Sequence, residues 1–313
     1  RIDKFPSGKE IKKLLKHKWS HGHNQSVVNG VPRIGWMTGG IKARWVDEDM
    51  ADVITHKANQ FIERNKEKPF FLYFATHDIH VPRVPHSRFV GKSSMGPRGD
   101  AIVQMDWCVG EIMKKLDEHK LTNDTIFIFT SDNGPVLDDG YHDQANEKLG
   151  NHKPAGPYKA GKYSVFEGAT RVPFIIRWPA KIKGNSKSAA LHGQVDLART
   201  LATVAGAQVP ENAFVDSRNE LNTLIGKNKV GRPHLIHEGG GVLSLRQGNW
   251  KFIPAGHGRV GLGPWKWQQL SKGGSLYDLS KDIGETTNIA EEHSEKLAEM
   301  KAILKKIKKQ ADL

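Results

Sequence analysis

Three apolar runs of strand length punctuate the chain. Residues 69–75 (Pro69-Phe70-Phe71-Leu72-Tyr73-Phe74-Ala75) form a continuous run, residues 125–129 are Thr125-Ile126-Phe127-Ile128-Phe129, and residues 171–179 centre on Phe174-Ile175-Ile176. Short apolar runs bounded by turn residues predict buried strands. Helical spacing lies between them. Residues 47–65 place Met50, Val53, Ile54, Ala58, Phe61 and Ile62 on one face behind Asp47 as the expected cap. Residues 100–119 repeat Ile102, Met105, Trp107, Val109, Ile112, Met113 and Leu116 at mostly helical intervals, and residues 194–205 predict a further helix closed by Gly206. Residues 1–45 are weakly patterned, with Ser20-His21-Gly22-His23-Asn24 and residues 35–40 as expected loops. Residues 132–170 have no periodicity, and so long a stretch in a compact domain points to a functional wall. From residue 229 the pattern turns to a hairpin (242–246 and 250–253 about Gln247-Gly248-Asn249), a strand at 275–279 and a helix over 291–311 with the seam Leu297, Met300, Leu304 and Ile307.

The chemistry gathers where strands end. The run 125–129 leads into Thr130-Ser131-Asp132-Asn133-Gly134, and loops at strand ends carry ligands in α/β folds. Asp132 and Asn133 offer hard oxygens suited to Ca²⁺ or Mg²⁺; Asp-Asn-Gly is equally a common turn tripeptide. The run 69–75 ends similarly in Thr76-His77-Asp78-Ile79-His80.

In this order the motifs Phe70-Phe71-Leu72-Tyr73 with His77-Asp78-Ile79-His80, then Phe129-Thr130-Ser131-Asp132-Asn133-Gly134, then Gly161-Lys162 with Glu167-Gly168 and Arg171-Val172-Pro173-Phe174, and the late segment Leu276 to Thr286, resemble the sulfatase family. The resemblance implies an α/β fold, a mixed sheet flanked by helices of the alkaline-phosphatase-like type. It implies residues 1–228 as part of the catalytic domain and residues 229–313 as a small antiparallel subdomain with its terminal helix. It also implies that Asp132 and Asn133 ligate Ca²⁺, that Lys162 contacts the sulfate, and that His80 helps protonate the leaving oxygen. His77, Lys159 and His142 are expected near the substrate, with Arg83 and His86 as lesser candidates. The implied substrate is a sulfated saccharide or aryl sulfate, and the implied location is periplasmic or secreted. The family's nucleophile, a formylglycine made from Cys or Ser in a Cys-or-Ser, x, Pro-or-Ala, x, Arg pattern, has no counterpart in the sequence, nor does its early aspartate pair. The expectation is therefore of a carboxy-terminal portion whose partners precede Arg1, inactive alone. Cys108 reads as a small core residue.

Charge narrows the alternatives. The net charge is +13, but +9 of it sits in residues 1–18 and 301–313, and no basic stripe interleaved with aromatics remains to suggest nucleic acid. No apolar run reaches membrane-span length. The literal Gly256-His257-Gly258-Arg259-Val260-Gly261 fingerprint is followed by Gly263-Pro264-Trp265 instead of a helix, so a loop near the substrate is preferred. The rival readings are a zinc phosphoesterase of the same superfamily, against which the amide of Asn133 argues, and a non-catalytic fragment that binds sulfated glycans.

Overall fold

In the computed structural model, which describes residues 14–259 and 267–311, the chain divides into two units. One runs to Asn123 and takes in Val136–His152; the other holds Asp124–Pro135 and the chain from Lys153 onward. The basic residues 1–13 and the end of the chain at 312–313 lie outside the described residues.

The first unit opens with a hairpin of β1 (Val27–Val28) and β2 (Val31–Pro32). Its turn, Asn29-Gly30, has positive φ at both positions (52° and 76°), the backbone that a two-residue hairpin needs and that Asn and Gly tolerate best. Helices α1 (Met50–Asn65) and α2 (Gly96–Glu118) pack on one another. The buried seam of α1 is Ala51, Thr55, Ala58 and Ile62; of the predicted face Ala58 and Ile62 lie in it, Met50, Ile54 and Phe61 are half-buried, and Val53 is exposed. Asp47 does not cap this helix either. It lies buried in a short 3₁₀ turn and takes the Arg33 guanidinium at 2.6 Å. On α2 the seam runs Ala101, Gln104, Cys108, Ile112 and Leu116. Gln104 enters it because its amide donates to Asp78 Oδ2 at 2.8 Å and its carbonyl accepts the His86 N–H at 2.8 Å. Cys108 is buried as a core residue, and burial raises its thiol above the ordinary value.

The run at residues 69–75 is not a strand. Phe71 and Tyr73 are exposed, while Phe70, Leu72 and Phe74 are half-buried, with Phe70 edge-on to Phe61 of α1. The run alternates in burial as a strand does, but no strand among the described residues pairs with it. Apolar spacing alone does not supply ladder hydrogen bonds.

In the second unit β3 (Phe127–Thr130) pairs antiparallel with β4 (Phe174–Arg177), Thr130 opposite Phe174, and α3 (Glu167–Thr170) precedes β4. Helix α4 (Leu197–Val204) follows a 3₁₀ turn at Gln194–Asp196 and ends as expected before Gly206, whose φ is 70°. After α5 (Leu221–Leu224) come β5 (Leu235–Gly239), β6 (Val242–Gln247), β7 (Trp250–Ile253), β8 (His257–Arg259), β9 (Trp267–Gln269), β10 (Ser275–Asp278) and α6 (Ser294–Gln310). The order β10-β7-β6-β5 makes a four-stranded antiparallel sheet, with the predicted hairpin at its centre. Met300 and Leu304 of α6 pack on Leu245, Phe252 and Leu276, with Leu297 and Ile307 beside them. The seam of the last helix is thus the one its spacing predicts. The segment expected as a loop at residues 256–261 contributes residues 257–259 to β8, paired with β9; Val260 and Gly261 lie outside the described residues, as does Gly263-Pro264-Trp265. The architecture is mixed α/β with small antiparallel sheets and helices, and no helix among the described residues is long and apolar enough to cross a membrane.

Candidate active site

Strand β3 delivers Ser131-Asp132-Asn133-Gly134 into a turn held by its own side chains. Ser131 Oγ donates to the Asn133 carbonyl at 3.1 Å, and Asn133 Nδ2 donates to the Gly134 carbonyl at 2.8 Å. With its amide nitrogen so engaged, Asn133 presents Oδ1 as an acceptor. Asp132 is exposed at the tip. The turn is tied to the segment that carries Lys162 by two backbone bonds: Gly134 N–H to the Ala169 carbonyl at 2.7 Å and Lys162 N–H to the Pro135 carbonyl at 3.0 Å. Thr130 Oγ1 adds a bond to the Pro173 carbonyl at 2.9 Å. The approach is close enough to require glycine. A Cβ on Gly134 would lie 1.8 Å from the Gly168 carbonyl oxygen, and one on Gly168 would lie 2.4 Å or less from the Lys159 and Ala160 carbonyl oxygens. The structure therefore brings Asp132, Asn133 and the Lys162 loop together. The Lys162 ammonium lies 5.0 Å from the Tyr163 ring centroid.

The expected Ca²⁺ can be tested against these donors. Asp132 and Asn133 are hard oxygen ligands and fit such a cation. Among the described residues no group of three His, Cys, Asp or Glu side chains is placed to hold a metal.

Lys159 is turned elsewhere. Its ammonium donates to the Glu285 carbonyl at 2.9 Å and sits 4.1 Å over the Phe166 ring, and burial lowers its pKa. Below it lies a buried ionic cluster. Glu167 and Lys251 meet at 3.0 Å, Arg246 reaches Glu167 at 2.7 Å, and Glu285 lies 3.4 Å from Lys251 while accepting the Glu167 backbone N–H at 2.6 Å. Burial alone would raise Glu167, but the charges of Lys251 and Arg246 outweigh it and bring it down to about 2. For Glu285 burial prevails over Lys251, and its pKa is raised.

The histidines belong to the first unit. His80 Nδ1 lies 2.8 Å from the Val81 carbonyl and its Nε2 lies 3.6 Å from Asp139 Oδ2. His77 Nδ1 is 3.9 Å from Asp78. His142 is exposed, its backbone N–H bonded to the Lys18 carbonyl at 2.9 Å. Arg83, considered as a glycan contact, is a buried strut: its guanidinium pairs with Asp143 at 2.7 Å and bonds the Val136, Leu137 and Ile79 carbonyls. His86 is engaged locally, its Nδ1 accepting the Arg88 N–H.

Around His80 the structure assembles residues to which the pattern gave no chemistry. Segments 18–20 and 140–142 are zipped by backbone bonds from Ser20 N–H to the Gly140 carbonyl and from His142 N–H to the Lys18 carbonyl. Ser20 Oγ donates to Asp138 Oδ1 at 2.6 Å, and His21 Nδ1 lies 3.7 Å from the same oxygen. The His23 and Tyr141 rings meet at a tilt of 43° with centroids 4.8 Å apart; burial lowers the His23 pKa against the opposing pull of Asp139. The legible signal was Ser20-His21-Gly22-His23 together with Asp138-Asp139, two polar clusters inside stretches read as loop.

Comparison with known proteins agrees with these motifs. The sulfatase family model matches residues 1–207. An N-acetylgalactosamine-6-O-sulfatase of Bacteroides thetaiotaomicron is 49% identical over 98% of this chain and 60% of its own length. A steryl-sulfatase of Homo sapiens is 38% identical over 58% of this chain and 30% of its own. Among solved structures, one from the glycosaminoglycan metabolism of Bacteroides thetaiotaomicron matches with a TM-score of 0.93 and 49% identity, covering 99% of this chain and 65% of that one. The chain belongs to the sulfatase family. It spans less than two thirds of the length of these relatives.

Proposed function

We propose that the whole protein hydrolyses a sulfate ester of a sulfated saccharide, with 6-sulfated N-acetylgalactosamine units as the substrate class. The observation that carries this reading is the stitching of the Asp132-Asn133 turn to the Lys162 loop through Gly134 and Pro135. It presents two hard oxygens and a cation in adjoining loops, the donor types that a sulfate and its metal need. The name of the relative at 49% identity supports the sugar. Asp132 and Asn133 would hold a Ca²⁺, which supplies positive charge to sulfate oxygens. Lys162 adds a second positive charge for the transferring group. His80 gives a proton to the leaving sugar oxygen. His77 and His142 face the substrate, and Lys159 serves by anchoring its loop on Glu285. The family's formylglycine supplies the nucleophile from outside residues 1–313. A periplasmic or secreted location, where such glycans are met, and a division between catalytic and small antiparallel portions near residue 228 complete the reading. Its test is sulfate release by the whole protein from a panel of defined sulfated saccharides, alongside the matching phosphate esters. Release from 6-sulfated N-acetylgalactosamine is expected; preference for the phosphate ester contradicts it.

A further inference from the structure

We infer that Asp139 is the positioning residue for His80, holding that imidazole as the proton donor to the leaving oxygen. The inference rests on the proposed role of His80.

The geometry is specific about the ring. A carbonyl oxygen only accepts, so the 2.8 Å contact of Nδ1 with the Val81 carbonyl requires a hydrogen on Nδ1. The other nitrogen faces a carboxylate oxygen at 3.6 Å, an ion-pair distance longer than a hydrogen bond. Both ring nitrogens thus face acceptors, Nδ1 at hydrogen-bond distance and Nε2 at ion-pair distance. The carboxylate is fixed while the imidazole is open: the Asp139 side chain is 9% exposed and that of His80 is 56% exposed. Asp139 sits between Asp138, which takes Ser20, and Gly140, where a Cβ would lie 1.9 Å from His23 Nδ1. Its backbone is therefore pinned by the zipped segments 18–20 and 140–142. Titratable groups close to this pair include His21, His23 and Asp138.

The step assigned to the pair is one proton transfer. The bond from sulfur to the sugar oxygen breaks with its electron pair going to that oxygen, the Nε2–H bond of His80 breaks, and the proton completes the sugar hydroxyl. The sulfuryl group passes to the protein's nucleophile. Asp139 changes no bond; it stabilises and orients the ring that gives up the proton.

This role has a signature that a purely structural carboxylate lacks. A sugar alkoxide is a poor leaving group and needs the proton, whereas the phenolate of an activated aryl sulfate departs without it. The experiment compares kcat of the whole protein on a 6-sulfated N-acetylgalactosamine saccharide and on 4-nitrophenyl sulfate, for wild type, Asp139→Asn, His80→Asn and the double variant. The expected result is a loss of roughly 10- to 100-fold on the saccharide in Asp139→Asn, the scale of losing an orienting partner and smaller than losing the acid itself, with the aryl sulfate changed less than about threefold. In the His80→Asn background, Asp139→Asn should add less than about twofold. Both substrates report on the same folded fraction, so their ratio is unaffected by any loss of stability. Equal losses on the two substrates, no loss on the saccharide, or full additivity with His80→Asn would each overturn the inference. Unchanged saccharide turnover in His80→Asn alone would overturn the role of His80 itself, and Asp139 with it.

Discussion

Glu167 and Lys251 form an ion pair at 3.0 Å in which neither side chain is exposed to solvent. Glu167 opens α3 directly behind the Lys162 loop, and Lys251 stands on β7 of the four-stranded sheet. The pair therefore fastens the loop that bears the candidate sulfate contact to the most regular part of its unit.

Removing one partner should expose the cost of burying the others. Lys251→Met leaves Glu167 with Arg246 at 2.7 Å and Arg171 at 3.5 Å, and takes from Glu285 the Lys251 ammonium at 3.4 Å; a loss of about 3–5 kcal/mol is expected from urea unfolding. Adding Glu285→Gln should recover part of it, since that carboxyl is already pushed up by burial. A loss below 1 kcal/mol for Lys251→Met would show that the cluster does not hold the loop.

Acid should loosen the same region. Glu167 is held at about 2 against an ordinary 4.5, so its contribution is whole above about 4.5 and is lost as pH falls toward 2. His237, whose Nδ1 lies 3.1 Å from Thr170 Oγ1, is lowered to about 3, chiefly by burial and then by Lys251. The unfolded chain takes up that proton from about 6.5 downward and the folded chain does not, so stability also declines from 6.5 toward 3. Unfolding midpoints measured across this range should fall with pH, and His237→Gln should flatten the upper part of the decline. A midpoint constant between pH 6.5 and 4 contradicts the assignment.

The glycines of the turn offer a steric test. Gly134→Ala places a methyl group 1.8 Å from a backbone oxygen that has no rotamer by which to retreat. A loss of roughly 1–3 kcal/mol or more is expected, with greater loss of sulfate release than of stability, because the displaced residues are Asp132 and Asn133. Gly150→Ala has open space at its Cβ but a φ of 59°, so only the cost of the left-handed backbone, about 1 kcal/mol, should appear there.

Buried and exposed candidates should separate in the same way. Arg83→Met strands Asp143 at a site where both side chains are 2% exposed and should cost about 3–5 kcal/mol. His142→Ala, on an exposed side chain, should change stability by less than about 0.5 kcal/mol. Comparable losses at the two positions would contradict the burial that distinguishes them.

Local periodicity made some of this legible and hid the rest. The seam of α6 and the β6–β7 hairpin could be read because each is set by neighbours a few residues away. On α2 the helix was legible and its face only in part: Ile112 and Leu116 lie in the seam, but so does polar Gln104, through Asp78. Residues 69–75 misled because an apolar run specifies extended chain without specifying a partner strand. The motifs at Asp132-Asn133 and His80 stood out as family patterns. Their supports did not: Glu167 finds Lys251 and Glu285 across 84 and 118 residues, and Asp139 acquires a role only by lying against His80. Spacing carries no information about such contacts.

Asp132 is the residue on which the proposed Ca²⁺ and the sulfate chemistry both depend. Sulfate release from 6-sulfated N-acetylgalactosamine should be measured for the whole protein and for Asp132→Ala, each with added Ca²⁺ and after chelation. The account predicts turnover in the wild type that chelation abolishes and Ca²⁺ restores, and loss of at least 100-fold in the variant. Turnover in Asp132→Ala equal to the wild type, and indifferent to chelation, would contradict it.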